Sequence, residues 1–135
     1  MRAICQRKLL ICATLSLLFV FMFGSTTFAT TKLLAPDGDD HNYFGGSVSI
    51  DGDVAVVGAP RDPYDPDPDP FYTGSAYVFR WNSTTSQWDS VQELLPSSEP
   101  LAAGDSFGFS VSKDGDVILV GAPNDDDRGT NSGSV

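Results

Sequence analysis

Cysteine is nearly absent from this 135-residue chain: Cys5 and Cys12 are the only two, both near the start. Everything after them must hold together by packing, strand pairing or bound ions rather than by disulfides. Positive charge is scarce as well, with 8 Lys and Arg against 18 Asp and Glu. Lys32, Arg61, Arg80, Lys113 and Arg128 are the only basic residues beyond position 29, where all the acidic residues lie. Such a surface repels nucleic acid and anionic membranes and attracts cations. Histidine is limited to His41, and neither a nucleophile motif nor a second His accompanies it, which argues against general-base catalysis. Asp37-Gly38-Asp39-Asp40-His41-Asn42 reads as a solvated turn, and no enzyme activity is expected.

Long apolar runs are missing too, apart from one. Residues 9–23 are an almost unbroken apolar stretch preceded by Arg2, Arg7 and Lys8 and followed by Ser25-Thr26-Thr27-Phe28-Ala29. A basic flank, a short apolar core and small residues before a cut describe a secretory signal peptide over residues 1–29. A span of the hydrocarbon needs about 20 apolar residues, more than this run supplies. The expected location is therefore secreted, extracellular or cell-surface.

What the sequence does have is repetition. Phe44-Gly45-Gly46-Ser47-Val48-Ser49-Ile50-Asp51-Gly52-Asp53-Val54-Ala55-Val56-Val57-Gly58-Ala59-Pro60 returns 63 positions later as Phe107-Gly108-Phe109-Ser110-Val111-Ser112-Lys113-Asp114-Gly115-Asp116-Val117-Ile118-Leu119-Val120-Gly121-Ala122-Pro123. No residue is gained or lost inside the match. Self-similarity at this period points to units that stack on one another. Within each unit, residues 47–50 alternate polar and apolar, Asp51-Gly52 signals a two-residue hairpin, and residues 54–57 suit a strand buried on both faces. Residues 74–81 are a third strand rich in aromatic and β-branched side chains, residues 82–86 a turn, and residues 88–95 a fourth strand.

Four antiparallel strands per repeat form the blade of a β-propeller. The expected fold is all-β, a partial β-propeller of about one and a half four-stranded blades after the signal peptide. Its parts are an N-terminal strand and loop over 30–43, a first repeat over 44–97 and a truncated second over 98–135. Lys32-Leu33-Leu34-Ala35-Pro36 matches Glu93-Leu94-Leu95-Pro96-Ser97, so the opening segment reads as an outer strand able to pair with the last blade and close a ring. One and a half blades do not close a propeller, so the sequence is expected to be a piece of a longer protein; dependence on other copies is the alternative.

Phe-Gly, Ser-Val, Val-Gly-Ala-Pro and Gly-Ser-Ala-Tyr-Val-Phe, in this order and spacing, resemble the FG-GAP repeats of integrin α-chain propellers and related secreted proteins. The resemblance implies a seven-bladed extracellular propeller that recognises other macromolecules, a protein or glycan ligand, often with calcium in loops on one face. Adhesion is the implied role, and any membrane contact would come through further C-terminal sequence. The rivals are an accessory propeller of an extracellular enzyme and a structural cell-envelope repeat. By their residue types, Phe44, Phe107, Gly45, Gly58, Ala59 and Pro60 are expected to pack and to end strands.

Many integrin repeats carry an acidic calcium loop between Phe-Gly and Gly-Ala-Pro. Here that interval holds only Asp51-Gly52-Asp53 and Asp114-Gly115-Asp116, short enough to be hairpin turns. The expected calcium ligands are instead Asp125, Asp127 and Asn131, at alternating positions around Gly129. The equivalent first loop, an Asp-Pro run from Asp62 through Asp65, Asp67 and Asp69 to Pro70, is expected to follow an extended path that scatters its carboxylates. Asn82-Ser83-Thr84 is an N-glycosylation acceptor pattern in a turn, relevant if the source is eukaryotic.

Overall fold

The computed structural model describes residues 31–38, 40–63, 72–97 and 104–135. The export signal read at residues 1–29 and the prolines and carboxylates of residues 64–70 lie outside the described residues. Among the described residues there is no helix long and apolar enough to cross a membrane.

One antiparallel sheet contains β1 (Ser47–Asp51), β2 (Val54–Ala59), β3 (Ser75–Asn82) and β4 (Gln87–Leu94) in that order. A second contains β5 (Ser110–Asp114) and β6 (Val117–Gly121). The first hairpin pairs Asp51 with Val54, so its loop is Gly52-Asp53, one residue later than the Asp51-Gly52 turn signal. Gly52 has φ +60 and Gly115, its counterpart, φ +52. A positive φ at the first loop position only is the II′ arrangement, which matches strand twist and favours Gly there. β3 and β4 are joined by a turn over residues 83–86, and a bulge opposite Val78 and Phe79 leaves Val91 unpaired on β4. Trp81 and Trp88 face each other across this hairpin, edge to face at 5.6 Å.

β2 and β3 are buried on both faces, which explains why residues 54–59 are continuously apolar rather than alternating. On one face Ala55, Val57, Ala59, Tyr77 and Phe79 form a cluster covered by Leu33, Ala35, Phe44 and Trp88. Phe44 meets Tyr77 and Phe79 edge to face at 5.6 and 6.0 Å. On the other face Val56 and Ala76 join Val120, with Leu94, Phe107, Val111 and Ile118 packed around them. The second blade is thus docked on the first.

A polar ladder completes the junction along β1. Ser47 Oγ donates to the Gly108 carbonyl (2.9 Å), Ser49 Oγ accepts from Lys113 N (3.0 Å), and Asp51 accepts from Gly115 N (2.9 Å) and Lys113 Nζ (3.3 Å). Gly58 and Gly108 are where the backbones cross: a Cβ on Gly58 would strike the Gly108 carbonyl, and one on Gly108 the Ser75 carbonyl. Gly108 also sits at φ +85, a conformation that side chains resist.

Equivalent residues of the two copies differ according to whether a neighbour covers them. Val48 is 69% exposed, while its counterpart Val111 packs against the first blade; Val56 is fully buried against the second blade, while its counterpart Leu119 is 54% exposed. The same sequence is therefore inside or outside depending only on stacking. The opening segment follows this logic. Leu33 lies on the open face of the first blade, as its sequence counterpart Leu94 lies on the face of the second. Residues 31–35, expected to be an outer strand, carry no strand in this structure.

Candidate functional site

The site begins with a tight turn after Pro60. Asp62 N donates to the Ala59 carbonyl (3.1 Å), and this turn folds the Asp62 side chain back beneath the start of β3. There Asn42 Nδ2 donates to Asp62 Oδ1 (2.7 Å), while Ser75 Oγ and the Tyr77 hydroxyl both donate to Oδ2. Asp62 is consequently a buried carboxylate with each oxygen hydrogen-bonded, the condition under which burial is tolerable. Tyr77 also lies 2.7 Å from Asp37 Oδ1, so two carboxylates compete for one phenolic proton. The strand register sets Glu93 opposite Tyr77 and adds a third. Carboxylate oxygens of Asp37, Asp62 and Glu93 fall within 4.8 Å of one another, lining a cavity of about 200 Å³ with Pro63, Thr73, Gly74, Ser75 and Leu95.

Electrostatics follow from this crowding. Burial, then the charges of Asp37 and Asp62, push the Glu93 carboxyl above the usual range. Burial, then the bond to Asp62, pushes the Tyr77 phenol far up, so it is a neutral donor at physiological pH.

The second repeat reproduces the framework with one change. Asp125, two residues after the second Gly-Ala-Pro, is buried like Asp62, and the Ser134 hydroxyl, counterpart of Ser75, followed by the Asp127 N–H, lowers its carboxyl. Where the first repeat has Asn42, the second has buried Asp105, which offers no amide proton; burial, then Asp125, Asp126 and Asp127, raise it. Of the three ligands expected from sequence, Asp125 points inward and its Oδ1 caps the Asp127 N–H (2.9 Å), while Asp127 and Asn131 are exposed. Among the described residues, the acidic side chains that converge as a threesome are Asp37, Asp62 and Glu93.

A family model described as FG-GAP repeat matches residues 28–79 and 88–135. The chain belongs to the FG-GAP repeat family. No curated protein matches it. The second matched FG-GAP segment opens on β4, the outer strand of the preceding sheet, so the sequence unit and the sheet are out of phase by one strand. The fold is accordingly all-β, made of partial β-propeller blades.

The two Asp-Gly-Asp hairpins serve the junction between blades. Asp51 is engaged by Gly115 N and Lys113 of the next blade, and its carboxyl is lowered by the Gly115 N–H first and Lys113 second. A two-residue loop does not curl around an ion, so these hairpins do not fit calcium. Asn82 closes β3 with an Asx turn: its Oδ1 accepts from Thr84 N (3.0 Å) and Thr85 N (3.3 Å), and its Nδ2 donates to Asp89 (2.8 Å).

Asp37, Asp62 and Glu93 are far apart along the chain, so no local pattern groups them. A signal existed for one of them: the Asp two residues after each Gly-Ala-Pro recurs as Asp62 and Asp125.

Proposed function

We propose that this chain is part of a secreted or cell-surface propeller that binds an extracellular protein or glycan and performs no catalysis. FG-GAP repeats occur in extracellular and surface proteins, and integrin α-chains use them in adhesion. One observation supports the reading most: the repeated residues are consumed by packing, while the chemistry that varies between copies is on the loops.

In the first copy the Arg61 guanidinium stacks over the exposed Tyr43 ring, 4.6 Å from its centroid. In the second, Ser106 and Asn124 take the same places and hydrogen-bond at 3.1 Å. Both loops use left-handed backbone, with φ +56 at Tyr43 and +61 at Ser106. For a bulky residue such as Tyr this conformation costs roughly 1–3 kcal/mol, and strain of this kind clusters at functional sites. An exposed aromatic ring joined to a guanidinium suits a sugar face or an acidic group.

Binding of the secreted chain to arrayed matrix proteins and acidic glycans tests this. A Tyr43→Ala, Arg61→Ala double variant is expected to lose the interaction while keeping its melting temperature. Absence of binding to every arrayed partner, or binding retained by the double variant, contradicts it. Export is checked by N-terminal sequencing of protein from the medium, which should begin at Thr30.

A further inference from the structure

Among the described residues, the acidic cavity of the first repeat holds no positive charge. Asp37, Asp62 and Glu93 share it, and no Lys or Arg is among its lining residues. Asp62 is supplied by Asn42, Ser75 and Tyr77, but among the described residues Asp37 receives only the Tyr77 proton that Asp62 also claims. Independently of the carboxylates, Thr73 is a wall of the same cavity. It is 4% exposed, and its Oγ1 is buried with no hydrogen-bond partner among the described residues. A buried hydroxyl without a partner is uncommon in native interiors, and coordination to a cation satisfies it.

We propose that Asp37, Asp62, Glu93 and Thr73 form a calcium site. The donor set is all oxygen, which selects a hard cation over zinc or copper. Oxygens on opposite sides of a calcium ion stand about 4.6–5.2 Å apart, a span that accommodates carboxylates within 4.8 Å of one another. Bidentate carboxylates and water complete six to eight ligands, and Glu93 on the exposed edge of β4 leaves the site open to solvent on one side. Its ligands come from the opening segment, from the turn after β2, from the residues leading into β3, and from β4. The ion therefore fastens the opening segment to the first blade. The site is separate from the hairpins and from the loop of Asp125, Asp127 and Asn131, and it stands whether or not the chain binds a macromolecule.

Calorimetric titration of the calcium-stripped secreted chain with calcium chloride, paired with terbium luminescence sensitised by tyrosine, tests the assignment. One ion per chain is expected, with a Kd of about 10⁻⁴–10⁻³ M, as in extracellular modules. Glu93→Gln and Asp37→Asn, which leave the Asp62 network in place, should each weaken binding by about tenfold or more with unchanged far-UV circular dichroism. Asp127→Asn should leave it unchanged. No heat or luminescence at about 10 mM ion, binding that survives both Glu93→Gln and Asp37→Asn, or binding lost in Asp127→Asn overturns the proposal.

Discussion

Val56 and Leu119 occupy the same repeat position, which allows stacking to be tested with a single pair of truncations. Val56→Ala removes two carbons from a fully buried site between the blades. At about 0.8 kcal/mol per buried methylene the transfer loss is about 1.6 kcal/mol, and a residual void of about 40 Å³ adds about 1 kcal/mol. The total of about 2.5 kcal/mol corresponds to a fall in melting temperature of about 10 °C or more for a domain of this size. Leu119→Ala removes three carbons from a side chain that is 54% exposed. About half of its transfer free energy is at stake and no cavity forms, so about 1 kcal/mol is expected. The smaller deletion should thus cost more. Urea unfolding and thermal melts followed by circular dichroism on the two purified variants measure the difference. Equal losses, or a larger loss for Leu119→Ala, would refute the stacking of the second blade on β2 and with it the account of why residues 54–59 are continuously apolar.

Gly58→Ala should destabilise by more than 1 kcal/mol because its Cβ meets the backbone of Gly108, whereas Gly121→Ala meets only the movable Ser110 hydroxyl; paired thermal melts decide. Tyr77→Phe removes the proton shared by Asp37 and Asp62 and should cost about 1–3 kcal/mol in urea unfolding, with part of the loss recovered in millimolar calcium. Stability should peak at mildly acidic pH. Glu93 and Asp105 hold protons more tightly when folded, so their contribution is complete below their ordinary values and is lost as pH rises through the raised ones. Asp51 acts oppositely: its contribution is present above 3.8 and is lost as pH falls through its lowered value. Urea midpoints taken from pH 3 to 8, at roughly unit steps, should rise and then fall, and a steady rise to pH 8 would contradict these assignments. In a eukaryotic secretory host, Asn82 should carry an N-glycan, seen as a mass shift that Asn82→Gln abolishes.

Much of the fold was legible before any coordinate. The repeat of Phe-Gly and Gly-Ala-Pro, the Asp-Gly turn signals, which lie one residue before the loops they mark, and the apolar strand over residues 54–57 depend on local chemistry, namely positive φ at Gly, β-branched side chains and apolar runs between turns. Strand limits follow within a residue or two. The candidate site was not legible in this way. Asp37 read as a turn residue, Asp62 as part of an Asp-Pro loop and Glu93 as the partner of Lys32 in a sequence match. Asp125 read as a surface ligand, but the turn after Pro123 directs it inward, as the turn after Pro60 directs Asp62.

The sequence alone determined that this protein is a stack of alike β-units, since turn residues and side-chain periodicity act over a few neighbours and are written twice. The tertiary structure alone decided which copies of the same residue are buried and which carboxylates meet. Burial depends on what the adjacent blade covers, and the meeting of Asp37, Asp62 and Glu93 depends on the register of β3 with β4 and on where the opening segment lies against the sheet. These are long-range relations that no local pattern encodes.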